Sequence, residues 1–212
     1  MAVRKRKKKR KAKKNLGPAD YLDDEQVRFV LEILKSEAAN GRFRTAVRLF
    51  IFQLLLNTGL RRGEACGLEM RDLPGYHGKD VIDVRWEVAK GQRSRTIIIS
   101  DQCRKLIEAF TDRFRTGSRP KDPLLVNEFG WRMTGRNIWD RFQTISKHTG
   151  IRAMHPHMMR HTYLSLLYGI SKDQMFVKEQ GGHARMDTTN IYVHIGDRER
   201  KKQVSRLDWL AT

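Results

Sequence analysis

Residues 45–64, TAVRLFIFQLLLNTGLRRGE, hold the most apolar segment of the chain and end in charged groups. The apolar positions recur at helical spacing and predict a buried helix over residues 45–57. They are Val47, Phe50, Ile51, Leu54 and Leu55. Thr58-Gly59 predicts the end of this helix, because glycine readily adopts the backbone conformation that closes a helix. A short helix is predicted over residues 63–68, so Arg61 stands between two helices.

Helical periodicity continues on both sides of this segment. Asp23 or Asp24 is expected to cap a first helix, which ends before Gly41. Its apolar positions are Val27, Val30, Leu31 and Leu34. Later helices are predicted at about 101–115, 134–148, 156–169, 172–180 and 197–209.

A short region between these helices changes period. Ile82, Val84, Trp86 and Val88 alternate with charged or small residues, and residues 96–99 form a second β-rich run. Residues 90–94, KGQRS, predict the hairpin turn between them. The fold class expected is therefore mainly α with a small antiparallel β-sheet, without an internal repeat.

Charge is the strongest global signal, since 43 lysines and arginines oppose 24 acidic residues in 212, a net charge of +19. Ten of the positive charges fall within residues 1–14; the rest of the chain still carries 33 basic against 24 acidic residues, a net charge of +9. Residues 1–20 are expected to form a disordered basic tail, and residues 21–212 one folded domain. A polyanionic partner follows, and a basic RNA-binding protein also fits this composition.

Other bulk features narrow the class of protein. The longest apolar stretch, residues 49–56, is interrupted by Gln53 and falls far below the roughly 20 residues that cross a bilayer. A soluble, cytoplasmic protein with no membrane partner is expected. Cys66 and Cys103 are expected to be reduced and structural, because two thiols make no disulfide scaffold.

Four segments carry candidate chemistry, and each has a plainer explanation. Arg61 suits two oxygens of one phosphate, with Glu64 one helical turn on to orient it, although such pairs are common on surfaces. Lys90, in the hairpin turn, is a candidate general acid or simply a solvated lysine.

The third and fourth segments add histidines and a tyrosine. His157 and Arg160 lie three apart near the start of a helix, which pairs a group titrating near neutrality with a permanent cation. A metal site is disfavoured there, since no cysteine or acidic ligand completes it. His183 precedes Tyr192 by nine positions; alone, Tyr192 would be taken as a packing residue.

Taken together and in this order, the segments resemble the catalytic domain of the tyrosine recombinases, the phage-integrase family. The family's T-G-L-R-x-x-E, hairpin lysine, H-x-x-R and G-H motifs, followed by a tyrosine, match Arg61 with Glu64, Lys90, His157 with Arg160, and His183 with Tyr192. The resemblance covers residues 21–209. Gly181 departs from the apolar residue that usually precedes G-H, which is expected to loosen that helix end.

The resemblance implies a DNA breaking-rejoining fold and a metal-independent, cofactor-independent reaction. Tyr192 would form a 3′-phosphotyrosyl bond with double-stranded DNA, while Arg61, Arg160 and His183 bind the phosphate. His157 would act as a proton shuttle and Lys90 as the acid for the leaving hydroxyl. Self-association in a dimeric or tetrameric synapse is also implied, and the helix after Tyr192 would dock on a neighbouring protomer or on its own domain.

The family also usually carries a helical DNA-binding domain before the catalytic one, for which only about twenty residues remain here. A naturally single-domain recombinase is favoured over a fragment, with the tail supplying phosphate contacts. The residues expected to bind DNA in this way are Arg4, Lys5, Arg6, Lys7, Lys8, Lys9, Arg10, Lys11 and, in the hairpin, Arg93. Three alternatives stay open: a type IB topoisomerase, a non-catalytic DNA-binding protein with the same fold, and an RNA-binding protein.

Overall fold

A computed structural model describes residues 21–77, 80–89, 94–151, 153–182 and 204–205 of the chain. The described residues form eight helices, one 3₁₀ turn and a two-stranded sheet. The helices are α1 (Asp24–Ala38), α2 (Phe43–Thr58), α3 (Arg62–Gly67), α4 (Pro74–His77), α5 (Asp101–Phe114), α6 (Gly135–Thr149), α7 (Pro156–Ser171) and α8 (Gln174–Gly181). The strands are β1 (Val81–Val84) and β2 (Arg95–Ile98). The mainly helical class with a small antiparallel sheet is confirmed.

Helix α1 begins where the capping prediction placed it. The Asp23 side chain accepts a hydrogen bond from the Gln26 backbone N–H at 2.8 Å, and the Gln26 side chain accepts one from the Asp23 N–H at 3.1 Å. This reciprocal pair satisfies two backbone donors that have no partner within the helix. The four predicted apolar positions of α1 are all buried.

Helix α2 is the centre of the core, as its apolar sequence predicts. Every residue from Phe50 to Thr58 is buried, and the helix packs against α1, α5 and α7. Phe50 stacks on Phe110 of α5 with ring centroids 3.7 Å apart. Because α2 is covered on several sides, its end at Thr58 is held rigidly by the surrounding helices.

The sheet is shorter than its alternating sequence suggests. β1 pairs antiparallel with β2 from Val81 opposite Ile98 to Val84 opposite Arg95. The prediction that the strand continues through Trp86 and Val88 is wrong: the N–H groups of Val88 and Ala89 bond back to the Arg85 carbonyl, which makes a turn. The Arg85 guanidinium anchors this turn on Asp72 at 2.8 Å and on the Gly67 carbonyl at 2.9 Å.

A second, smaller cluster lies between α7 and α8. It contains Tyr163, Leu164, Leu167, Phe176 and Val204. The predicted helix 197–209 otherwise lies outside the described residues, as does the predicted disordered tail. The 3₁₀ turn Met70–Asp72 and helix α4 were not predicted, since elements of three or four residues leave no periodic signal. In the described part of the chain, no helix is long and apolar enough to cross a membrane.

Candidate active site

The site forms where the end of α2 meets the start of α3. Gly59 ends α2 in the left-handed conformation, with φ of +61°, and its N–H bonds to the Leu55 carbonyl at 3.0 Å. A Cβ atom at this position would lie 2.4 Å from the Tyr163 ring. Only glycine therefore fits both the turn and the close approach of α7. The turn places Arg61 directly before α3.

Arg61 is held by the first turn of α3. Its guanidinium Nη1 donates to Glu64 Oε1 at 2.7 Å, and its backbone N–H donates to Glu64 Oε2 at 2.8 Å. Its Nη2 donates to the Gly182 carbonyl at 2.8 Å. The Glu64 side chain is 1% exposed and that of Arg61 is 20% exposed. Arg61 is thus fixed from behind and remains partly open to solvent.

Arg160 comes to the same place from α7. The residue is 2% exposed, and its guanidinium donates to the Gly59 carbonyl at 2.7 Å and to the Gly181 carbonyl. A guanidinium is suited to a buried position of this kind, since its planar fork can satisfy several acceptors at once. Arg160 therefore joins the end of α2 to the end of α8.

A third arginine, Arg95 of β2, was not predicted as part of the site. It donates to both oxygens of Glu64 at 2.8 Å and to the Gln180 carbonyl at 3.1 Å. Its partners lie 31 and 85 positions away in the chain, so no local pattern shows them. The one feature of the sequence that could have indicated a role for Arg95 is its place in a short strand directly after the turn that contains Lys90.

The charge of the site is strongly unbalanced. Burial raises the pKa of Glu64, but hydrogen bonds and the charge of Arg95, together with hydrogen bonds from Arg61, outweigh burial and lower this pKa to about 2. Burial, with the charges of Arg61 and Arg95, lowers the pKa of Arg160 to about 10. At neutral pH three guanidinium groups therefore surround one carboxylate, which leaves a net positive charge for an anion.

His157 lies in the first turn of α7, close to these cations, and is exposed to solvent. Partial burial, followed by the charges of His161 and Arg160, lowers the pKa of His157 to about 4. The rings of His157 and His161 meet edge to face with centroids 4.4 Å apart. His157 is therefore neutral at pH 7.

An open cavity of about 570 Å³ gives access to this site. Trp139 of α6 and His155 stack on one side of it, with centroids 6.3 Å apart. The His155 side chain also caps α7 by accepting the Met158 N–H at 3.0 Å. The lining residues are Arg61, Arg62, Gly63, Glu64, Val88, Trp139, His155, Pro156 and His157.

The structure thus brings together four of the predicted residues: Arg61, Glu64, His157 and Arg160. The other predicted site residues lie outside the described residues: Lys90, Arg93, His183, Tyr192 and the basic residues of the tail. Within the described ranges, no group of three or more histidine, cysteine or acidic side chains could hold a metal ion.

The folded arrangement is a helical domain with a cluster of arginines around Glu64, and sequence comparison identifies its family. Residues 20–199 match the phage integrase family, and the chain belongs to that family. The departure at Gly181 leaves α8 intact through that residue, with its carbonyl accepting from Arg160.

Curated relatives include tyrosine recombinases from two bacteria. The chain is 28% identical over 188 residues to XerC of Staphylococcus aureus, covering 87% of this chain and 59% of the relative. It is 29% identical over 185 residues to XerH of Campylobacter jejuni, covering 86% of this chain and 50% of the relative. The chain thus spans about half to three fifths of the length of these relatives.

Solved structures with the same fold include XerA recombinase and the integrase of transposon Tn1549. XerA superposes with a TM-score of 0.64 and 25% identity over 89% of this chain and 65% of that one. The Tn1549 integrase, solved with circular intermediate DNA, superposes with a TM-score of 0.65 and 20% identity over 90% of this chain and 66% of that one. The predicted recombinase catalytic-domain fold is confirmed.

Proposed function

We propose that this chain is the catalytic domain of a site-specific recombinase that cleaves and rejoins DNA through a 3′-phosphotyrosyl intermediate. The observation that carries the proposal is the Arg61 guanidinium, which lines an open cavity, is held by the buried Glu64 carboxylate and lies close enough to Arg160 for their charges to interact. In the proposal, the guanidinium groups of Arg61 and Arg160 bind the two non-bridging oxygens of a phosphodiester. Residues 21–212 would form this domain, and residues 1–20 a basic tail.

The reaction needs a nucleophile and a proton donor beside these cations. In the proposed step the Tyr192 phenolic oxygen attacks phosphorus, and its proton passes to neutral His157. The bond from phosphorus to the 5′ oxygen breaks, and Lys90 gives that oxygen a proton. A 5′-hydroxyl of another strand then attacks the phosphotyrosine and gives its proton to Lys90. The bond from phosphorus to Tyr192 breaks, and His157 returns the proton to the Tyr192 oxygen.

The phosphate-binding groups act by stabilising charge. Negative charge grows on the non-bridging oxygens as phosphorus becomes five-coordinate, and donors fixed in advance stabilise it without reorganisation. Arg61 is fixed by Glu64 and Arg160 by two carbonyls, as such a site requires. His183 would add one further donor.

The proposed partners are double-stranded DNA and further copies of this chain in a synaptic dimer or tetramer. XerH was solved bound to its difH substrate, and the Tn1549 integrase was solved with circular intermediate DNA and with transposon right end DNA. Both precedents favour strand exchange over the relaxation performed by a type IB topoisomerase. Association with the cellular DNA, and a place in a mobile element, are part of the same proposal.

A nicked suicide substrate tests the covalent step. Cleavage next to the nick releases a short fragment that diffuses away, so the covalent protein–DNA complex accumulates and is visible on a denaturing gel. Wild-type protein is expected to give this band and Tyr192→Phe to give none. If Tyr192→Phe forms the band at the wild-type rate, Tyr192 is not the nucleophile.

The same substrate tests Lys90. A 5′-phosphorothiolate at the scissile position has a sulfur leaving group that needs no proton. We expect Lys90→Ala to cleave the ordinary substrate slowly and the phosphorothiolate at close to the wild-type rate. Failure of the sulfur substrate to restore cleavage would refute the general-acid role.

A further inference from the structure

Each of the three nitrogens of the Arg95 side chain donates a hydrogen bond to a residue of another element. It is 9% exposed, and its two terminal nitrogens donate in parallel to the two oxygens of Glu64, both at 2.8 Å. Its Nε donates to the Gln180 carbonyl at 3.1 Å. This paired geometry fixes the plane of the Glu64 carboxylate as well as its position.

The Glu64 carboxylate is shared between two arginines. Each of its oxygens accepts one hydrogen bond from Arg95 and one from Arg61, the latter from the guanidinium and from the backbone N–H. The orientation of the Arg61 guanidinium therefore depends on a carboxylate whose plane is set by Arg95.

The end of α8 provides a second link. The carbonyls of Gln180, Gly181 and Gly182 accept from Arg95, Arg160 and Arg61 in that order. Carbonyl groups at a helix C-terminus have no partner within the helix, and cationic donors stabilise them. Three arginines, one from β2, one from α7 and one directly before α3, thus cap the helix whose sequence continues into His183.

The packing around Arg95 is close. Gly182 has φ of +59°, and a Cβ atom there would lie 2.7 Å from Arg95 Cδ. The absence of a side chain at Gly182 is what allows Arg95 to reach Glu64 and Gln180 together. The glycine at position 182 therefore lets Arg95 pack closely against the end of α8, which holds its side chain in one orientation.

We propose that Arg95 is a positioning residue for the phosphate-binding arginines: through Glu64 it orients Arg61, and through Gln180 it holds the end of α8 against the site. The proposal rests on the proposed function and deepens it. In this role Arg95 acts through protein groups, since each of its three side-chain nitrogens donates to Glu64 or to the Gln180 carbonyl.

The expected effect of removing Arg95 falls on the chemical step. Arg95→Gln leaves Glu64 with one arginine partner and frees its carboxylate to rotate, which misplaces Arg61. Misplacement of a catalytic group by about 1 Å costs on the order of 100-fold in rate. Arg95→Lys is expected to recover only part of this loss, since an ammonium cannot make two parallel hydrogen bonds to one carboxylate. DNA affinity is expected to change less than about threefold, because the proposed role is exerted through Glu64 and Gln180.

The test compares two nicked substrates under single-turnover conditions, one with a phosphate and one with a methylphosphonate at the scissile position. A methylphosphonate is uncharged, so the placement of Arg61 matters less for its cleavage. We expect Arg95→Gln to lower phosphate cleavage about 100-fold and methylphosphonate cleavage less than about fivefold. The ratio of the two rates does not depend on the fraction of protein that is folded.

Arg48→Gln is the matched control, since Arg48 is 13% exposed in its side chain and pairs with Glu37 at 2.7 Å away from the site. It is expected to leave the ratio of rates unchanged. Equal losses on both substrates for Arg95→Gln, or phosphate cleavage near the wild-type rate, would overturn the positioning role while leaving the proposed function intact. If the wild-type protein forms no covalent complex with either substrate, the proposed function fails and the role of Arg95 fails with it.

Discussion

The Glu64→Gln substitution gives a quantitative test of the arginine site. It keeps the size of the side chain and removes the one negative charge that Arg61 and Arg95 share. The pKa of Glu64 is lowered from an ordinary value of 4.5 to about 2 in the folded protein. At about 1.4 kcal/mol per pH unit this difference corresponds to about 3 kcal/mol of folding stability. Loss of one partner from a buried ion pair costs a similar amount, about 3–5 kcal/mol.

The pH dependence follows from the direction of the shift. Because the folded protein holds the Glu64 carboxylate ionised more strongly than the unfolded chain does, the stabilisation is complete above about pH 4.5 and is lost as the pH falls toward 2. Urea unfolding at pH 7 is expected to show wild type more stable than Glu64→Gln by about 3 kcal/mol, and at pH 3 by about 1 kcal/mol.

Glu108→Gln is the matched control for this measurement. Glu108 pairs with Arg104 at 2.8 Å, but its side chain is 46% exposed and the pair lies on the surface of α5. Surface pairs of this kind contribute about 0–1 kcal/mol. If Glu64→Gln costs no more than Glu108→Gln, or if its cost does not change between pH 7 and pH 3, the charge argument is refuted.

Two further predictions concern the turn before Arg61 and the basic tail. Gly59→Ala is expected to lower the free energy of unfolding by about 2 kcal/mol or more, because alanine there must adopt a positive φ and its Cβ would overlap the Tyr163 ring. Gly63→Ala is the control and is expected to be neutral or stabilising, because no atom lies within 4 Å of the added Cβ. Urea unfolding measures both variants, and equal effects would contradict the packing argument. Removal of residues 1–14 is expected to flatten the slope of log affinity against log salt concentration for duplex DNA, by on the order of 1 for each tail cation that contacts a phosphate. An unchanged slope would show that the tail makes no phosphate contacts.

Local patterns predicted the part of the site that depends on short spacings. The distance of three residues from Arg61 to Glu64 is one helical turn, so their contact follows from the start of α3. Gly59 as the end of α2 follows from the apolar run that precedes it. These contacts join residues that are close together in the chain, so local sequence patterns are enough to predict them.

Contacts between distant segments could not be predicted in the same way. Arg95 reaches Glu64 and Gln180 because β2 packs against α8, and no periodicity encodes that contact. The end of β1 at Val84 likewise depends on the Arg85 bond to Asp72, which overrides the alternation of Trp86 and Val88. The burial of Arg160 and the exposure of His157, three residues apart on α7, were set by packing around the helix.

The central claim is that Tyr192 carries the DNA during the reaction. The most direct measurement is mass spectrometry of the covalent complex after trypsin and nuclease digestion, which locates the residue that bears the remaining nucleotide. A nucleotide on the peptide that contains Tyr192 is the expected result. A nucleotide on any other residue, or recovery of the Tyr192 peptide wholly unmodified from the purified complex, would contradict the account.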